Sequence, residues 1–240
     1  MMTDLRAFFK QFKIEINNLD IFQEAVTHNS FSNESTVKKS YENLEFLGDA
    51  VLQLKSSIYL YNKFKDSFNM QGELTNGRQC LVCEDTLAHI GTKIGIGNIL
   101  RLGHGEEQNG GRTNSKILGD LFESITAAIF LDQGDAAVDL WLQETLLRDD
   151  IFEVAKQLNI NYKNKFQELL QPKSKEDITY FEIDRIKKAD NTIDFHMGVR
   201  VDGMIYGRGI GKTKKEATQN AARDALEKLE SHNPDRSSEN

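Results

Sequence analysis

The chain has few residues that interrupt helices or form cross-links, with two prolines and two cysteines in 240 residues. It also has a single tryptophan. Both prolines, Pro172 and Pro234, lie in the last third of the chain, so the commonest helix breaker is missing from the rest. No segment approaches the roughly 18 apolar residues of a membrane-spanning helix. The first residues also lack the apolar core of a signal peptide. These absences predict a cytoplasmic protein that binds no membrane.

The two cysteines, Cys80 and Cys83, form a single C-x-x-C pair. A structural zinc site needs about four ligands, and His89 is the one histidine close to the pair in the sequence. A structural disulfide is not expected in a chain that lacks a secretion signal. We therefore interpret both cysteines as small residues within a helix.

Charge is distributed unevenly along the chain. Residues 1–160 hold 15 Lys+Arg and 23 Asp+Glu, a net charge of −8, whereas residues 161–230 hold 14 and 12, a net charge of +2. The isoelectric point near 5.4 argues against nucleic-acid binding by bulk charge, so such binding would need local basic clusters or bound cations. The asymmetry predicts two domains with different roles.

Hydrophobic periodicity predicts an all-α domain followed by an α+β domain of order α-β-β-β-α. In the first domain we expect helices over residues 5–14, 19–27, 41–64, 73–94, 114–131 and 135–147. In the second we expect a helix over 161–171, strands over 178–186, 193–201 and 204–209, and a helix over 213–230. Asp202-Gly203 is a hairpin turn signal between the last two strands.

We place the domains at residues 1–155 and 156–230, followed by a polar tail at 231–240. No segment rich in Pro, Gly or Ser marks the boundary. Residues 149–162 fit either a helical tail or a short tether.

Two segments place carboxylates on one helical stripe among apolar residues. Glu42, Glu45 and Asp49 stand at i, i+3 and i+7, within roughly 60° of one another on a helix. Asp120 and Glu123 repeat the i, i+3 spacing. Clustered like charges repel one another, and hard oxygen ligands suit Mg²⁺ or Mn²⁺. Either segment alone also fits a solvated helix face.

Together the two segments resemble the ribonuclease III family. Its signature motif resembles residues 42–49, ENLEFLGD, and its second acidic motif resembles residues 118–124, LGDLFES. The segments 25–30 (AVTHNS), 72–75 (GELT) and 105–112 (GEEQNGGR) stand in the order that the family shows. The resemblance runs from about residue 5 to residue 230.

The resemblance implies an endoribonuclease that cleaves double-stranded RNA with Mg²⁺, for which Mn²⁺ substitutes, and with no organic cofactor. It implies staggered cuts that leave 5′-phosphate and 3′-hydroxyl ends, in ribosomal RNA precursor processing and messenger RNA turnover. Asp49 and Glu123 would be catalytic, Glu42 auxiliary, and Gln71 stands where the family commonly has an acidic residue. The implied metal ligands are Glu45, Asp49, Asp120 and Glu123.

The second domain resembles the double-stranded RNA-binding domain. Its first helix would present polar side chains to minor-groove 2′-hydroxyls, and lysines at the start of its last helix would meet a phosphate. Asn191 stands at a loop position where the family often has His. The expected RNA-binding residues are Asn164, Gln167, Glu168, Gln171, Asn191, Lys212, Lys214 and Lys215.

The family also implies a homodimer, because one site cuts one strand and a duplex has two. Phe46, between Glu45 and Asp49, would insert into the partner subunit, although ordinary core packing also fits it. Two other functions remain open. One is a non-catalytic double-stranded RNA-binding protein with a retained nuclease fold, and the other is a different metal-dependent phosphohydrolase built on helices.

Overall fold

The structure, a computed structural model, describes residues 4–36, 38–66, 71–170, 177–188 and 192–232. The chain divides into two compact units, Met1–Asn159 and Ile160–Asn240. Among the helices described, none is both long and apolar enough to cross a membrane.

The described part of the first unit is helical, with a single isolated bridge pairing Thr27 and Arg101. Short 3₁₀ turns lie at Ile96–Asn98 and Gly111–Thr113. The helices are α1 (Leu5–Lys10), α2 (Leu19–Ala25), α3 (Asn29–Glu34), α4 (Glu42–Phe64), α5 (Gln71–Val82), α6 (Glu84–Ile94), α7 (His104–Gln108), α8 (Ser115–Gln133), α9 (Asp135–Glu144) and α10 (Asp149–Leu158).

Helix α8 forms the centre of this unit and packs against α2, α4, α6 and α9. Eleven of its 19 residues are buried, because apolar side chains occur on more than one face of the helix. The fully buried Trp141 of α9 lies 5.3 Å from the ring of Phe122 in α8 and 5.0 Å from the ring of Phe12. The core of the first unit therefore surrounds α8 and fixes its position.

Helices α4 and α8 approach most closely at Gly48. A Cβ atom added to this residue would lie far inside van der Waals contact with the backbone carbonyl of Glu123. A glycine in a helix interior costs about 1 kcal/mol relative to alanine. Glycine is nevertheless needed here, because the backbones of α4 and α8 can come into contact only where no side chain lies between them.

The expected helices of the first unit are found, α3 and α7 occur in addition, residues 149–158 form helix α10, and two of the expected helices need correction. The helix predicted over 73–94 is divided at Cys83, whose ψ of 156° is extended. The carbonyl of Cys80, freed at the end of α5, accepts a hydrogen bond of 2.7 Å from the Thr86 hydroxyl, which stabilises the break. The interpretation of Cys83 as a residue within a helix is therefore wrong. The other correction is α1, which ends at Lys10 because the chain reverses at Lys13 with a φ of 62°.

The second unit has the predicted order of elements. Asp202 and Gly203, with φ of 48° and 84°, form the hairpin turn between the second and third strands. The three strands form one antiparallel sheet in sequence order. The elements are α11 (Tyr162–Leu170), β1 (Ile178–Lys187), β2 (Ile193–Val201), β3 (Met204–Gly211) and α12 (Lys214–His232). The fold class, an all-α unit followed by an α-β-β-β-α unit, is confirmed.

Small residues also bring β3 and α12 into close contact. Side chains added at Gly207 or Gly209 would collide with the backbone of α12 near Ala221. Ala217, Ala221 and Ala225 are fully buried on the facing side of the helix. The first half of α12 is therefore held firmly against β3.

We expect Gly48→Ala to destabilise the first unit although alanine favours helix. Overpacking a tight core contact costs about 1–3 kcal/mol, and here the obstacle is backbone that has little freedom to move. The urea midpoint, followed by circular dichroism, should fall.

The matched control is Gly119→Ala in α8, where the nearest atoms to an added Cβ lie 3.7 Å away. This variant should be as stable as the parent chain or slightly more stable. Equal stabilities for the two variants would contradict a special role for the Gly48 contact.

Candidate metal site and nucleic-acid interface

The contact at Gly48 aligns the acidic residues of two helices. Glu45 and Asp49 stand on either side of Gly48 in α4, while Glu123 of α8 provides the backbone that Gly48 touches. Asp120 lies one turn before Glu123. The start of α8 is fixed by Asn114, whose side-chain oxygen accepts a hydrogen bond of 3.2 Å from the Ile117 amide.

Three of the four predicted ligands come together. Glu45, Asp120 and Glu123 are half-buried, and each offers a carboxylate oxygen within 4.8 Å of those of the other two. Asp49 is not one of these three, although its charge acts on Glu123. Both of its oxygens accept from Nε2 of Gln53, at 3.1 Å each. The structure thus brings together three carboxylates and holds the fourth to one side.

The site concentrates negative charge in a partly buried place. Burial, reinforced by Asp49, Glu45 and Asp120, raises the pKa of Glu123 to about 8. Burial and the carboxylate of Asp120 also raise the pKa of Glu45. A proton on Glu123 therefore relieves the repulsion within the group at neutral pH.

One positive group lies at the edge of the site. Nζ of Lys116 forms an ion pair of 2.7 Å with Asp120, one turn along α8. Lys116 is exposed, so it balances only part of the charge of the group.

The group of Glu45, Asp120 and Glu123 fits a hard divalent cation. The converging donors are carboxylate oxygens without cysteine or histidine, and such donors favour Mg²⁺ or Mn²⁺ over zinc. The raised pKa values of Glu45 and Glu123 come first from burial and then from the neighbouring carboxylates, and a bound cation would counter both effects.

The two auxiliary residues lie outside this group of three. Glu42 accepts hydrogen bonds from Nδ2 of Asn29, at 3.1 Å, and from the Ser40 hydroxyl, at 3.3 Å. Gln71 is exposed at the start of α5. Both side chains are thus at the surface of the first unit.

Phe46 points away from the core of its own chain. Its side chain is 80% exposed, so intramolecular core packing does not account for it. Leu54, Ile58 and Tyr61 continue the exposed apolar surface along α4.

In the second unit, Asn164, Gln167 and Glu168 are exposed on α11, whereas Phe166 of the same helix is fully buried. The sequence pattern therefore separated the polar and core faces of this helix. Gln171 and Asn191 lie outside the described residues.

Lys212, Lys214 and Lys215 are exposed at the start of α12. Thr213 caps this helix, since its hydroxyl accepts from the Glu216 amide at 3.1 Å and the Glu216 carboxylate accepts from the Lys212 amide at 2.8 Å. Nζ of Lys214 forms an ion pair of 2.8 Å with Glu182 in β1.

Several site residues were missed in the sequence. The i, i+4 spacings of Asp49 with Gln53 and of Lys116 with Asp120 could have revealed those two contacts. Tyr41 has no such signal. It is buried next to the site, and burial together with Asp120 and Glu45 raises its pKa.

Comparison with known proteins agrees with both units. The family model described as Ribonuclease-III-like matches residues 18–150, and the double-stranded RNA binding motif matches residues 162–229. The chain is 41% identical over 226 residues to Ribonuclease 3 of Mesoplasma florum, covering 94% of this chain and 97% of that protein. It is 40% identical over 222 residues to Ribonuclease 3 of Streptococcus thermophilus, covering 92% and 95%.

The first unit also resembles a solved structure, the nuclease domain of ribonuclease III from Campylobacter jejuni. The TM-score is 0.54 with 31% sequence identity, and the match covers 63% of this chain and 98% of that domain. Its description concerns flexibility in a region involved in dimer formation.

The fold and the site define a helical nuclease unit followed by a double-stranded RNA binding motif. The chain belongs to the ribonuclease III family. The enzyme class that the sequence predicts, an endoribonuclease of the ribonuclease III type, is thereby confirmed.

We expect the metal-free protein to lose stability as pH rises from about 5 to 8. The pKa of Glu123 is about 8 in the folded chain and 4.5 as the ordinary value, so in this range the folded state keeps a proton that the unfolded state has lost. Stability from this group is complete below the ordinary pKa and disappears as pH passes the folded pKa, with a slope of up to about 1.4 kcal/mol per pH unit.

The measurement is urea unfolding in a chelator at several pH values, for the parent chain and for Glu123→Gln. The amide of the variant does not titrate, so its stability should fall less over the same range. Parallel curves would show that Glu123 is not protonated in the folded chain.

Proposed function

We propose that this chain is a divalent-metal-dependent endoribonuclease that cleaves double-stranded RNA with staggered cuts and leaves 5′-phosphate and 3′-hydroxyl ends. The observation that carries the proposal is the convergence of Glu45, Asp120 and Glu123 at the Gly48 contact. We place the nuclease domain at residues 1–155, the RNA-binding domain at 156–230 and a polar tail at 231–240.

Mg²⁺ is the proposed cofactor and Mn²⁺ its substitute. Glu45, Asp120 and Glu123 would hold it, and Asp49 would join them by leaving Gln53. When bound, the cation supplies Lewis-acid stabilisation of the phosphodiester and activation of water.

The residues of the chain have their own tasks in this reaction. Glu123 must release its proton before it binds a cation, since its pKa is raised to about 8 without one. Lys116 forms an ion pair with Asp120, so a bound cation would compete with Lys116 for this carboxylate. The buried surroundings of α8 hold the carboxylates in place, so little reorganisation is needed when substrate arrives. Asp49 and Glu123 are the proposed catalytic residues, and Glu42 and Gln71 the auxiliary ones.

RNA binding is assigned to the second unit. Asn164, Gln167 and Glu168 would face the minor groove, together with Gln171 and Asn191. Lys212, Lys214 and Lys215 would approach a phosphate at the start of α12. The location is consistent with the charge of this part of the chain, which is +2 while residues 1–160 carry −8.

A homodimer would give each strand of a duplex its own site. The 80% exposed ring of Phe46 supports a partner at this surface. We further propose a cytoplasmic enzyme that acts on ribosomal RNA precursors and messenger RNA. The binding-only alternative is less well supported, because all four acidic residues of the family pattern are retained.

We predict that Glu123→Gln binds duplex RNA normally and cleaves it at least about a thousandfold more slowly at low Mg²⁺, since losing a metal ligand costs several kcal/mol of transition-state stabilisation. Cleavage and gel-shift assays on one duplex separate the two effects. Glu153→Gln on α10, where the carboxylate forms only a surface ion pair with Lys156, is the control and should cleave normally.

Two results would contradict the proposal in different ways. Normal cleavage by Glu123→Gln would remove this residue from the site. Parent protein that binds duplex and never cleaves it in Mg²⁺ or Mn²⁺ would favour the binding-only function.

We predict that Lys215→Ala lowers the salt dependence of duplex binding by about 0.9 in the log–log slope, the value for one lost phosphate contact. Lys214→Ala should have a smaller effect, because Glu182 already neutralises part of that charge. Lys228→Ala is the control, since Lys228 lies 13 residues beyond Lys215 on the same helix, about 20 Å away. An unchanged slope for Lys215→Ala would argue against its phosphate contact.

We predict a dimer of about twice 27.3 kDa at micromolar concentration, measured by sedimentation. Phe46→Ala should weaken it by about 2 kcal/mol or more, roughly thirtyfold, as for a central aromatic anchor. Met204→Ala, at a 64% exposed position of the second unit, should leave the dimer intact. A monomeric parent chain that still makes staggered double cuts would contradict both the dimer and the role of Phe46.

A further inference from the structure

The C-x-x-C pair lies where three helices meet. Cys80 is in the last turn of α5, and Cys83 is the residue before α6. The residue that joins them to α10 is Asn159, which ends that helix and is the last residue of the first unit. Neither thiol is in a disulfide, and both cysteines are half-buried.

Both cysteines belong to one hydrogen-bond network. The Cys83 thiol lies 3.1 Å from Oδ1 of Asn159 and donates to it. Nδ2 of Asn159 donates to the Ala155 carbonyl at 2.9 Å and to the Thr86 hydroxyl at 3.2 Å. The Thr86 hydroxyl in turn donates to the Cys80 carbonyl at 2.7 Å. The end of α10 is thus held partly through the cysteine pair.

The spacing of the pair allows a disulfide. Residues three apart at a helix end have Cα atoms about 5 Å apart, inside the roughly 4.4–6.8 Å range found for disulfides. Helical side chains at this spacing are neighbours with Cβ atoms about 5–6 Å apart, somewhat farther than in a disulfide. Closing the bond therefore requires movement at Cys83, the residue that already leaves the helix. A bond closed in this way is readily reduced again, which is typical of regulatory disulfides.

We propose that Cys80 and Cys83 form a reversible disulfide in the folded chain, and that this modification loosens the last turn of α10 by removing the hydrogen that Cys83 donates to Asn159.

The oxidant class is a small disulfide, written RSSR. The Cys83 thiolate attacks one sulfur of RSSR, which forms a mixed disulfide and releases RS⁻. The Cys80 thiolate then attacks the Cys83 sulfur and expels the second RS⁻. The protein loses two protons and two electrons, and RSSR gains them to become two RSH. Burial raises the pKa of Cys80 and lowers its thiolate fraction, so its attack is the slower step and depends on the Cys83 mixed disulfide lying beside it.

The test uses the full chain in buffers of graded glutathione disulfide to glutathione ratio, followed by alkylation and intact-mass measurement. The expected product lacks two hydrogens and takes up no alkylating reagent. Cys80→Ser and Cys83→Ser should instead accumulate mixed disulfides with glutathione. Only mixed disulfides in the parent chain, at every ratio, would overturn the modification site.

Hydrogen exchange tests the link to α10. Amides in the last turn of α10 should exchange roughly two- to tenfold faster in the oxidised chain, the range for losing one neutral hydrogen bond. Reduced Asn159→Ala should show at least this increase, because it also loses the bonds to Ala155 and Thr86, and its oxidation should add nothing further. A disulfide that forms without faster exchange in this turn would overturn the coupling.

Discussion

The contact between Gly48 and the backbone of Glu123 is the constraint on which the candidate site depends. It sets the separation of α4 and α8, and with it the distance between carboxylates that belong to different helices. Helices that meet through side chains are about 8–10 Å apart, whereas a glycine at the crossing allows a closer approach. The like charges are then forced together in a partly buried place, which raises the pKa of Glu123 to about 8 and favours binding of a cation.

The packing of the core around α8, and not the group of carboxylates, stabilises the position of this helix. Leu121 and Phe122, which lie between Asp120 and Glu123 in α8, are fully buried. Trp141 packs against Phe122 from the next helix. A firmly packed helix can hold an unfavourable group of charges, because the packing energy is independent of the protonation of those charges. The buried apolar residues of α8 thus stabilise the fold, while Asp120 and Glu123 on the same helix form the candidate site.

Much of this arrangement is predictable from the sequence, because helix periodicity and the i, i+3 spacing of carboxylates are local properties. The stripe of Glu45 and Asp49 and the pair of Asp120 and Glu123 were found in this way, as were the three strands and the turn at Asp202 and Gly203. Contacts that depend on distances between elements were not. The ion pair of Lys214 with Glu182 joins residues far apart in the chain. The hydrogen bond between Cys83 and Asn159 joins residues 76 apart in the chain.

The position of Asp49 is the instructive difference. Its spacing on α4 predicts a fourth ligand, yet a neighbour on the same helix, Gln53, holds both of its oxygens. Helical periodicity gives the direction of a side chain only to within a turn, so it does not decide between a hydrogen bond along the helix and a ligand position across it. A cation bound near Glu123 would attract the Asp49 carboxylate and compete with its hydrogen bonds to Gln53.

The most direct test of the account is the location of Mn²⁺ in crystals of the protein, from its anomalous scattering. The account predicts a peak among the carboxylates of Glu45, Asp120 and Glu123, with Asp49 turned from Gln53 toward it. A peak bound elsewhere, or no peak at millimolar Mn²⁺ at a pH where Glu123 is ionised, would contradict the claim that the Gly48 contact builds a metal site.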